Sequence, residues 1–473
     1  MSRSGRDGGR RGSTRGRRTG GTLAFVESPV QLLNVLEWAH SAAALPAARG
    51  REEAAAGEPA AEADSGEPAA EATTAETASG RPSAGAHGLT VVVLSPHDPM
   101  TRGQLRRVAE LARDEGVTVR WEDARGGPTA PLKTIGSLAR ELRRARRVVI
   151  GDPFSRYVQL LLTLTSARSV VVVDDGTATM EFVSQLAGGE RLVRWHRKGS
   201  APAGVQAAAQ AVLFAPFARR ARSRLIPGAS PARAADLPAD SGERDEGRVR
   251  RVEIFSSMPV DATDKRLREL GVTVSANDFA WTRSRFGPPR LTRGTDLVGT
   301  SLVETGVVDL ERYLEGVAAL ARTHGATRYF AHRRESSEKL HRVKSATGLE
   351  IVRPDLPLEL VARRGPIGRT VVSFPSTVVH TLPLALAGTP VSVAVCEVDR
   401  TWFTAGASPR AEGFLSGVTD SARRVRKLGG TDAPPPPRHG GGTGTAPAPP
   451  QGAPASQQPS RTSMSTEAAR GSA

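Results

Sequence analysis

From Ser169 the chain reads SVVVVDDGTAT, a run of four valines that stops at two aspartates and a glycine. A strand with one wet face alternates apolar and polar residues, so an all-valine run requires cover on both faces, as in a parallel sheet with crossover helices. The same alternation of short β-branched runs and amphipathic stretches fills the chain around it. TLAFVES leads into PVQLLNVLEWAH, with Pro29 at a helix start where its missing N–H costs little. LTVVVLS leads into TRGQLRRVAELARDEG, which Gly116 closes, and VTVRWE, SLARELRRA, RVVIGD and YVQLLLTLTS carry the series back to the valines. This is the pattern of one Rossmann-like domain. Farther on, RVEIFSS, DLVGTS, ATRYFAHR, LEIVRP, RTVVSFPS and PVSVAVCE are strand candidates. Between them lie helices such as LERYLEGVAALARTHG, in which Tyr313, Leu314, Val317 and Leu320 share a face and Asp309 is placed as N-cap. The expected fold class is α/β, with two Rossmann-like domains in series facing across a cleft.

Composition sets the limits of those domains. Residues 1–21 are arginine and glycine with almost nothing to bury, and are expected to form a disordered basic tail. Residues 43–87 turn to Ala, Glu, Pro and Gly with an acidic excess, the pattern of a solvated insertion within an N-terminal domain spanning 22–228. ASPARAADLPADSGERDEG, residues 229–247, is expected to be the interdomain linker, 248–428 the C-terminal domain, and 429–473 a Pro/Gly-rich tail. The formal charge of +16 raises the question of nucleic acid. With 4% aromatics and arginines spread as ELRRARR, RRARSR and RRVRK, no specific nucleic-acid module is recognisable, which leaves solvated surface, an anionic substrate, or anionic membrane met by the basic tail. The single cysteine, Cys396, excludes an internal disulfide and fits a reducing compartment. No apolar run approaches the ~18 residues of a membrane span, so a cytoplasmic location is expected, with peripheral contact at the inner face of the membrane through that tail.

Ligands in open α/β sheets bind beyond the carboxyl ends of the strands, and three strand ends here carry unusual polar groups. The first is Asp174-Asp175-Gly176. Side chains alternate across a strand, so the two carboxylates diverge: one faces the cleft as a potential general base while the other caps the turn, or the tripeptide is an ordinary Asp-Gly turn. The second is YFAHRRES, in which His332, Arg333, Arg334 and Glu335 suit an anion such as phosphate, or form a solvated basic patch around a structural histidine. The third is VVSFPSTVVHTLPLALAG, where Pro375, Ser376 and Thr377 precede a helix whose free N–H groups and hydroxyls make an anion site, unless the hydroxyls merely cap it. There is no His/Asp cluster with metal-ligand spacing.

In their order along the chain, DDGTAT, AHRRE and FPSTVVHTLPLAL resemble the motifs of the bacterial sialyltransferase and polysialyltransferase-like glycosyltransferases. ESPVQLLNVLEW looks like that family's first strand and helix, with weaker similarity in GDPFSRY and GTSLVETGVVDLERYLE. The resemblance covers about residues 22–42 and 88–425. It implies a two-domain GT-B fold, a donor such as CMP-sialic acid or another CMP-nonulosonic acid, a glycan acceptor, no cofactor, and a role in capsule or cell-surface polysaccharide synthesis. By the same resemblance, Asp174 or Asp175 is the base for the acceptor hydroxyl and His332 donates to the leaving CMP phosphate. Ser376 and Thr377 hold that phosphate, Glu359 bonds the donor ribose, and Gly176, Arg333, Arg334, Glu335 and Pro375 line the donor side. Ser28, Gln31 and Asn34 are candidates for the acceptor side, or simply cap and solvate their helix. The reaction implied is an inverting, metal-independent displacement. Many members have His-Pro and Ser-Ser where this chain has His332-Arg333 and Ser376-Thr377. A GT-B transferase using a CDP-polyol or UDP-sugar, and a non-catalytic basic binding protein, are the competing readings.

Overall fold

The computed structural model describes residues 21–55, 88–123, 130–194, 205–227 and 250–428. The expected tails, the linker at 229–247 and the insertion beyond Ala55 lie outside the described residues. The first sheet has seven parallel strands in the order β3-β2-β1-β4-β5-β6-β7. These are β1 (Thr22–Val26), β2 (Leu89–Leu94), β3 (Thr118–Glu122), β4 (Arg147–Ile150), β5 (Ser169–Val173), β6 (Arg251–Ser256) and β7 (Val272–Ala276). Helices α1 (Pro29–Ala55), α2 (Pro99–Asp114), α3 (Ala130–Arg144), α4 (Arg156–Leu164), α5 (Ala178–Ala187), α6 (Val205–Arg224) and α7 (Asp261–Glu269) belong to the crossovers. The second sheet has six parallel strands in the order β10-β9-β8-β11-β12-β13. They are β8 (Leu291–Val298), β9 (Ala326–Phe330), β10 (Glu350–Val352), β11 (Ile367–Ser373), β12 (Ser392–Cys396) and β13 (Arg426–Leu428). Around them lie α9 (Leu310–His324), α10 (Ser337–Thr347), α11 (Leu358–Arg364), α12 (Val378–Ala385) and α13 (Pro409–Ser421), while α8 (Ala280–Phe286) joins the two halves.

Both sheets therefore share the doubly wound order 3-2-1-4-5-6, with switch points between β1 and β4 and between β8 and β11. Two such sheets in series are the GT-B architecture. Every valine from Val170 to Val173 is buried, as a strand covered on both faces requires. Asp309 accepts from the N–H groups of Glu311 and Arg312 and caps α9, whose Tyr313, Leu314, Val317 and Leu320 are all buried.

Two boundaries differ from those the sequence suggests. The linker does not separate the sheets: β6 pairs with β5 from Ser169↔Arg251 to Val173↔Phe255, and β7 pairs with β6. The first domain thus runs through α8, because Val252, Ile254 and Phe255 bury against the first sheet's cores rather than the second's. Helix α1 continues to Ala55, into the stretch that composition assigns to the acidic insertion.

The halves meet through a common apolar layer in which Leu356, Leu360 and Ala385 pack with Leu32, Leu36, Phe279 and Trp281. Its polar rim includes Gln104, which donates to the carbonyl of Pro354 at 2.8 Å, and an ion pair between Arg107 and Asp355. At the joint, buried Glu37 of α1 accepts from the N–H groups of Trp281 and Thr282 and from the Thr282 hydroxyl, at 2.8, 2.9 and 2.6 Å. Burial pushes this carboxyl up to about 7, against the three donors that favour its charge. Among the described residues no helix is long and apolar enough to cross a membrane.

Candidate active site

The turn after β5 resolves the divergence of the paired aspartates. Asp174 points along the sheet to the end of β6, where it accepts from the Ser256 hydroxyl (2.5 Å), the Ser257 N–H (2.6 Å) and the Ser257 hydroxyl (2.8 Å). It is 2% exposed, its pKa is raised by burial, and its backbone carbonyl accepts from the Asn34 amide at 3.0 Å. All these bonds are internal, so Asp174 ties β5 to β6 and fixes the turn. Asp175 takes the other side, with 19% of its side chain exposed. Its backbone N–H is held by the Thr179 hydroxyl at 3.0 Å, and its side chain hydrogen-bonds Gln31.

Arg194 joins this group from the segment after α5. One guanidinium nitrogen, Nη2, lies 2.6 Å from Oδ2 of Asp152 and 3.3 Å from Oδ2 of Asp175. Asp152 stands at the end of β4, 5% exposed, with Oδ1 accepting the Phe154 N–H at 2.8 Å. The guanidinium also sits over the Phe154 ring, 5.8 Å from its centre. Burial and then the neighbouring Asp152 charge push Asp175 up to about 7, with Gln31, Arg194 and Arg333 opposing. A carboxyl held near neutrality at a strand end can take a proton from a hydroxyl.

Across the cleft stands the second half. Gly176 has φ +66°, a left-handed conformation that disfavours any side chain, and a Cβ there would lie 2.7 Å from Oγ1 of Thr377. The Asp-Asp-Gly turn and the Ser-Thr helix start are therefore in direct contact. Thr377 begins α12, and neither its hydroxyl nor that of Ser376 caps the helix; Ser376 Oγ meets only Ser373 Oγ, at 3.5 Å. The simple capping account of these letters does not hold, and the positive end of the helix faces the turn with its hydroxyls available. Pro375 is buried at the foot of the loop.

His332 follows β9. The Arg334 N–H donates to its Nδ1 at 3.2 Å, which leaves Nε2 as the proton-bearing nitrogen of the neutral ring. Burial and then the charges of Arg333, Arg334 and Lys339 bring its pKa down to about 4, so at neutral pH the ring is an uncharged donor. Arg333 and Arg334 are exposed, and the Arg333 charge acts on both Asp175 and Asp98 of the first half. Glu335 turns inward instead of toward the cleft. It accepts from the Tyr329 hydroxyl at 2.6 Å and the His332 N–H at 2.6 Å and pairs with buried Lys339 at 2.8 Å, while Tyr329 meets Tyr313 at 2.6 Å. Its place is beneath the histidine loop, which it holds in shape.

Glu359 is buried, not a surface glutamate: the Thr381 hydroxyl of α12 donates to it at 2.5 Å, and burial raises its pKa. Ser28 caps α1 by accepting the Gln31 N–H at 3.2 Å. Gln31 and Asn34 are each 2% exposed and lie under the turn, the latter also accepting from Asn277 at 3.0 Å, so Asn34 supports Asp174 rather than lining an open surface. Asp152 lies in the GDPFSRY stretch noted for weak similarity, whereas Arg194 carries no local signal. Among the described residues no group of three or more His, Cys, Asp or Glu is placed to hold a metal ion.

No family model matches this sequence, nor does any curated protein. Among solved structures, the chain is similar to an α/β-galactoside α-2,3-sialyltransferase from the luminous marine bacterium Photobacterium phosphoreum, at 9% identity over 87% of this chain and 98% of that one, with a TM-score of 0.38. It is also similar to the glycotransferase of kitacinnamycin (12% identity, 87% of each chain, TM-score 0.40) and to MurG of Acinetobacter baumannii (10% identity, 87% of this chain and 86% of that one, TM-score 0.32).

Proposed function

We propose that this protein is a glycosyltransferase that moves a nonulosonic acid such as sialic acid from a CMP-activated donor to a glycan hydroxyl, with inversion at the anomeric carbon. The observation that carries the reading is the contact of Gly176 with Thr377, which sets a carboxyl with a pKa of about 7 against a helix start, with the neutral His332 on the same half as that helix. Asp175 takes the acceptor proton as the new glycosidic bond forms, and the bond from the anomeric carbon to the phosphate oxygen breaks. The leaving phosphate gathers charge near the start of α12, where backbone N–H groups, Ser376, Thr377 and the Nε2–H of His332 stabilise it. His332 acts as a hydrogen-bond donor rather than as a cation. Asp174 and Glu335 position these groups, and Glu359 sits behind α12 on the donor side. The leaving group's charge is met by protein donors, so the reaction is expected to run without a divalent cation.

A second reading rests on Arg333 and Arg334. Two exposed guanidiniums beside His332 suit the two charges of a diphosphate-linked donor such as a UDP-sugar as well as the phosphodiester and carboxylate of a CMP-nonulosonic acid. Purified protein offered CMP-, CDP- and UDP-linked donors in the presence of EDTA separates the two. Transfer from a CMP-nonulosonic acid that persists in EDTA supports the first reading, and turnover confined to UDP-sugars overturns it. If CMP shifts the melting temperature no more than AMP does and no donor turns over, the protein is a binding protein instead.

A further inference from the structure

Helix α6 buries Ala221 where it packs along α4, while Val212, Leu213 and Phe217 are 73%, 72% and 43% exposed. Only six large hydrophobic side chains among the described residues are so exposed, and half of them lie on this helix. At 100° per residue Leu213, Phe217, Arg220 and Arg224 fall on one stripe, so the apolar ridge continues directly into arginines.

Among the described residues these arginines have no carboxylate partner. Arg250, just before β6, reaches the Ser223 carbonyl at 3.3 Å, and its Nε is buried with no hydrogen-bond partner. Arg220 donates only to the Thr163 carbonyl, at 3.4 Å. Arg250 likewise has no carboxylate partner among the described residues. Burial and then mutual repulsion, Arg220 on Arg224 and Arg224 on Arg250, lower the proton affinity of the latter two. A cluster of guanidiniums that repel each other is relieved by an anion.

We propose that the exposed face of α6 docks the protein on an anionic membrane surface, with Val212, Leu213 and Phe217 entering the headgroup–acyl boundary and lipid phosphates seated at Arg220, Arg224 and Arg250. The pairing of apolar ridge and cations selects this occupant. A polyanion such as RNA would satisfy the arginines but leave three large apolar side chains in water, and a second copy of the chain would bring its own uncompensated arginines to the contact. The ridge lies toward the end of α4 that carries the Asp152 loop, since Arg156 at the start of α4 stacks on Phe214 at 5.6 Å. Docking therefore holds the mouth of the cleft near the lipid surface.

The test is co-sedimentation of the full chain with vesicles of phosphatidylcholine alone or with about one third phosphatidylglycerol. Wild type should bind the anionic vesicles, and Arg220→Glu/Arg224→Glu and Leu213→Ser/Phe217→Ser should each lower the partition coefficient at least about tenfold. The first pair should also lose most of the salt sensitivity. If both variants partition as wild type does, the basic N terminus is the contact and the proposal fails. It fails equally if wild type ignores anionic vesicles, or if the variants change only the oligomeric state in light scattering.

Discussion

Replacing Asp152 by Asn reads the proposed base directly, because it removes one charge next to Asp175 and releases Arg194 from its ion pair with Asp152. The two carboxylate oxygens accept from the same Arg194 nitrogen at 2.6 and 3.3 Å. Those distances bound their separation at about 6 Å, where unit charges repel by about 3 kcal/mol at an effective dielectric of about 20. At about 1.4 kcal/mol per unit this is about two pKa units, which solvent at the exposed edge of Asp175 reduces toward one. Loss of the rival carboxylate also frees Arg194 for Asp175, with the same sign. Burial, the larger cause of the raised value, is untouched, so Asp175 should fall from about 7 only part of the way to an ordinary carboxyl.

The assay is kcat/KM against pH on the preferred donor. A base works when ionised, so wild-type activity should climb through about pH 7. Asp152→Asn should move that acid limb down by about one unit, making the variant several-fold faster relative to wild type at pH 6 than at pH 8. Arg194→Met removes a cation that favours the ionised form and should move the limb upward. Asn retains the Oδ1 acceptor for the Phe154 N–H but presents an amide NH2 group to Arg194 where Oδ2 stood, so a modest fall in melting temperature is expected for the first variant, and the direction of the pH shift is the readout. An acid limb that stays in place or rises in Asp152→Asn would refute the assignment of Asp175, as would a shift of both variants in one direction.

The other expectations concern the two halves and their joint. His332→Ala should cut kcat by about 2–4 kcal/mol of transition-state stabilisation with a smaller change in donor KM, and a change in KM alone would reduce the residue to a binding contact. Gly176→Ala should cost about 1–2 kcal/mol for its left-handed backbone and slow transfer sharply. Placing it on a Thr377→Ala background should relieve only the contact with Oγ1, so a measured coupling of zero between the two would show that the turn and the helix start do not touch. Glu37 has a folded pKa above its unfolded value, so its contribution is full below about pH 4.5 and is lost as pH rises through about 7. The difference in melting temperature between wild type and Glu37→Gln should therefore be larger at pH 5 than at pH 8.5, and a difference that grows with pH would mean that Glu37 is stabilised as an anion.

Short-range pattern made the strands legible and left their partners obscure. RVEIFS is recognisable as a strand from its own letters, yet nothing in them tells whether it extends the first sheet or opens the second. That choice was made by pairing with SVVVV across the intervening linker, a contact to which local propensity is blind. Strand β7 is hard to read for a related reason: VTVSA, at the sheet's end, is only partly buried and offers little apolar pattern. Glu335 follows two arginines in the sequence, whereas Tyr329, Lys339 and the His332 N–H draw it into the core. Arg194 stands after the end of α5 with no periodicity to mark it, and only the convergence of β4 and β5 on one point reveals its use.

The paired aspartates show where such reasoning stops and what completes it. Alternation along a strand requires their side chains to part, and the sequence supplies no sign for which goes where. The sign comes from Ser256 and Ser257, more than eighty residues later, whose three donors converge on whichever carboxylate faces β6. Once Asp174 is held there, the backbone leaves Asp175 nowhere to go but the cleft, and the left-handed Gly176 turns the chain before a third residue can follow. A neighbour with its oxygens saturated is what allows an adjacent carboxyl to stay poorly solvated and near-neutral without the turn rearranging to satisfy it. On this argument Ser256→Ala/Ser257→Ala should damage catalysis through Asp175, which neither residue touches. The loss should appear in kcat with a displaced acid limb, and Asp174→Asn should reproduce it in part; a double-serine variant with the wild-type pH profile would show that the turn holds its shape unaided.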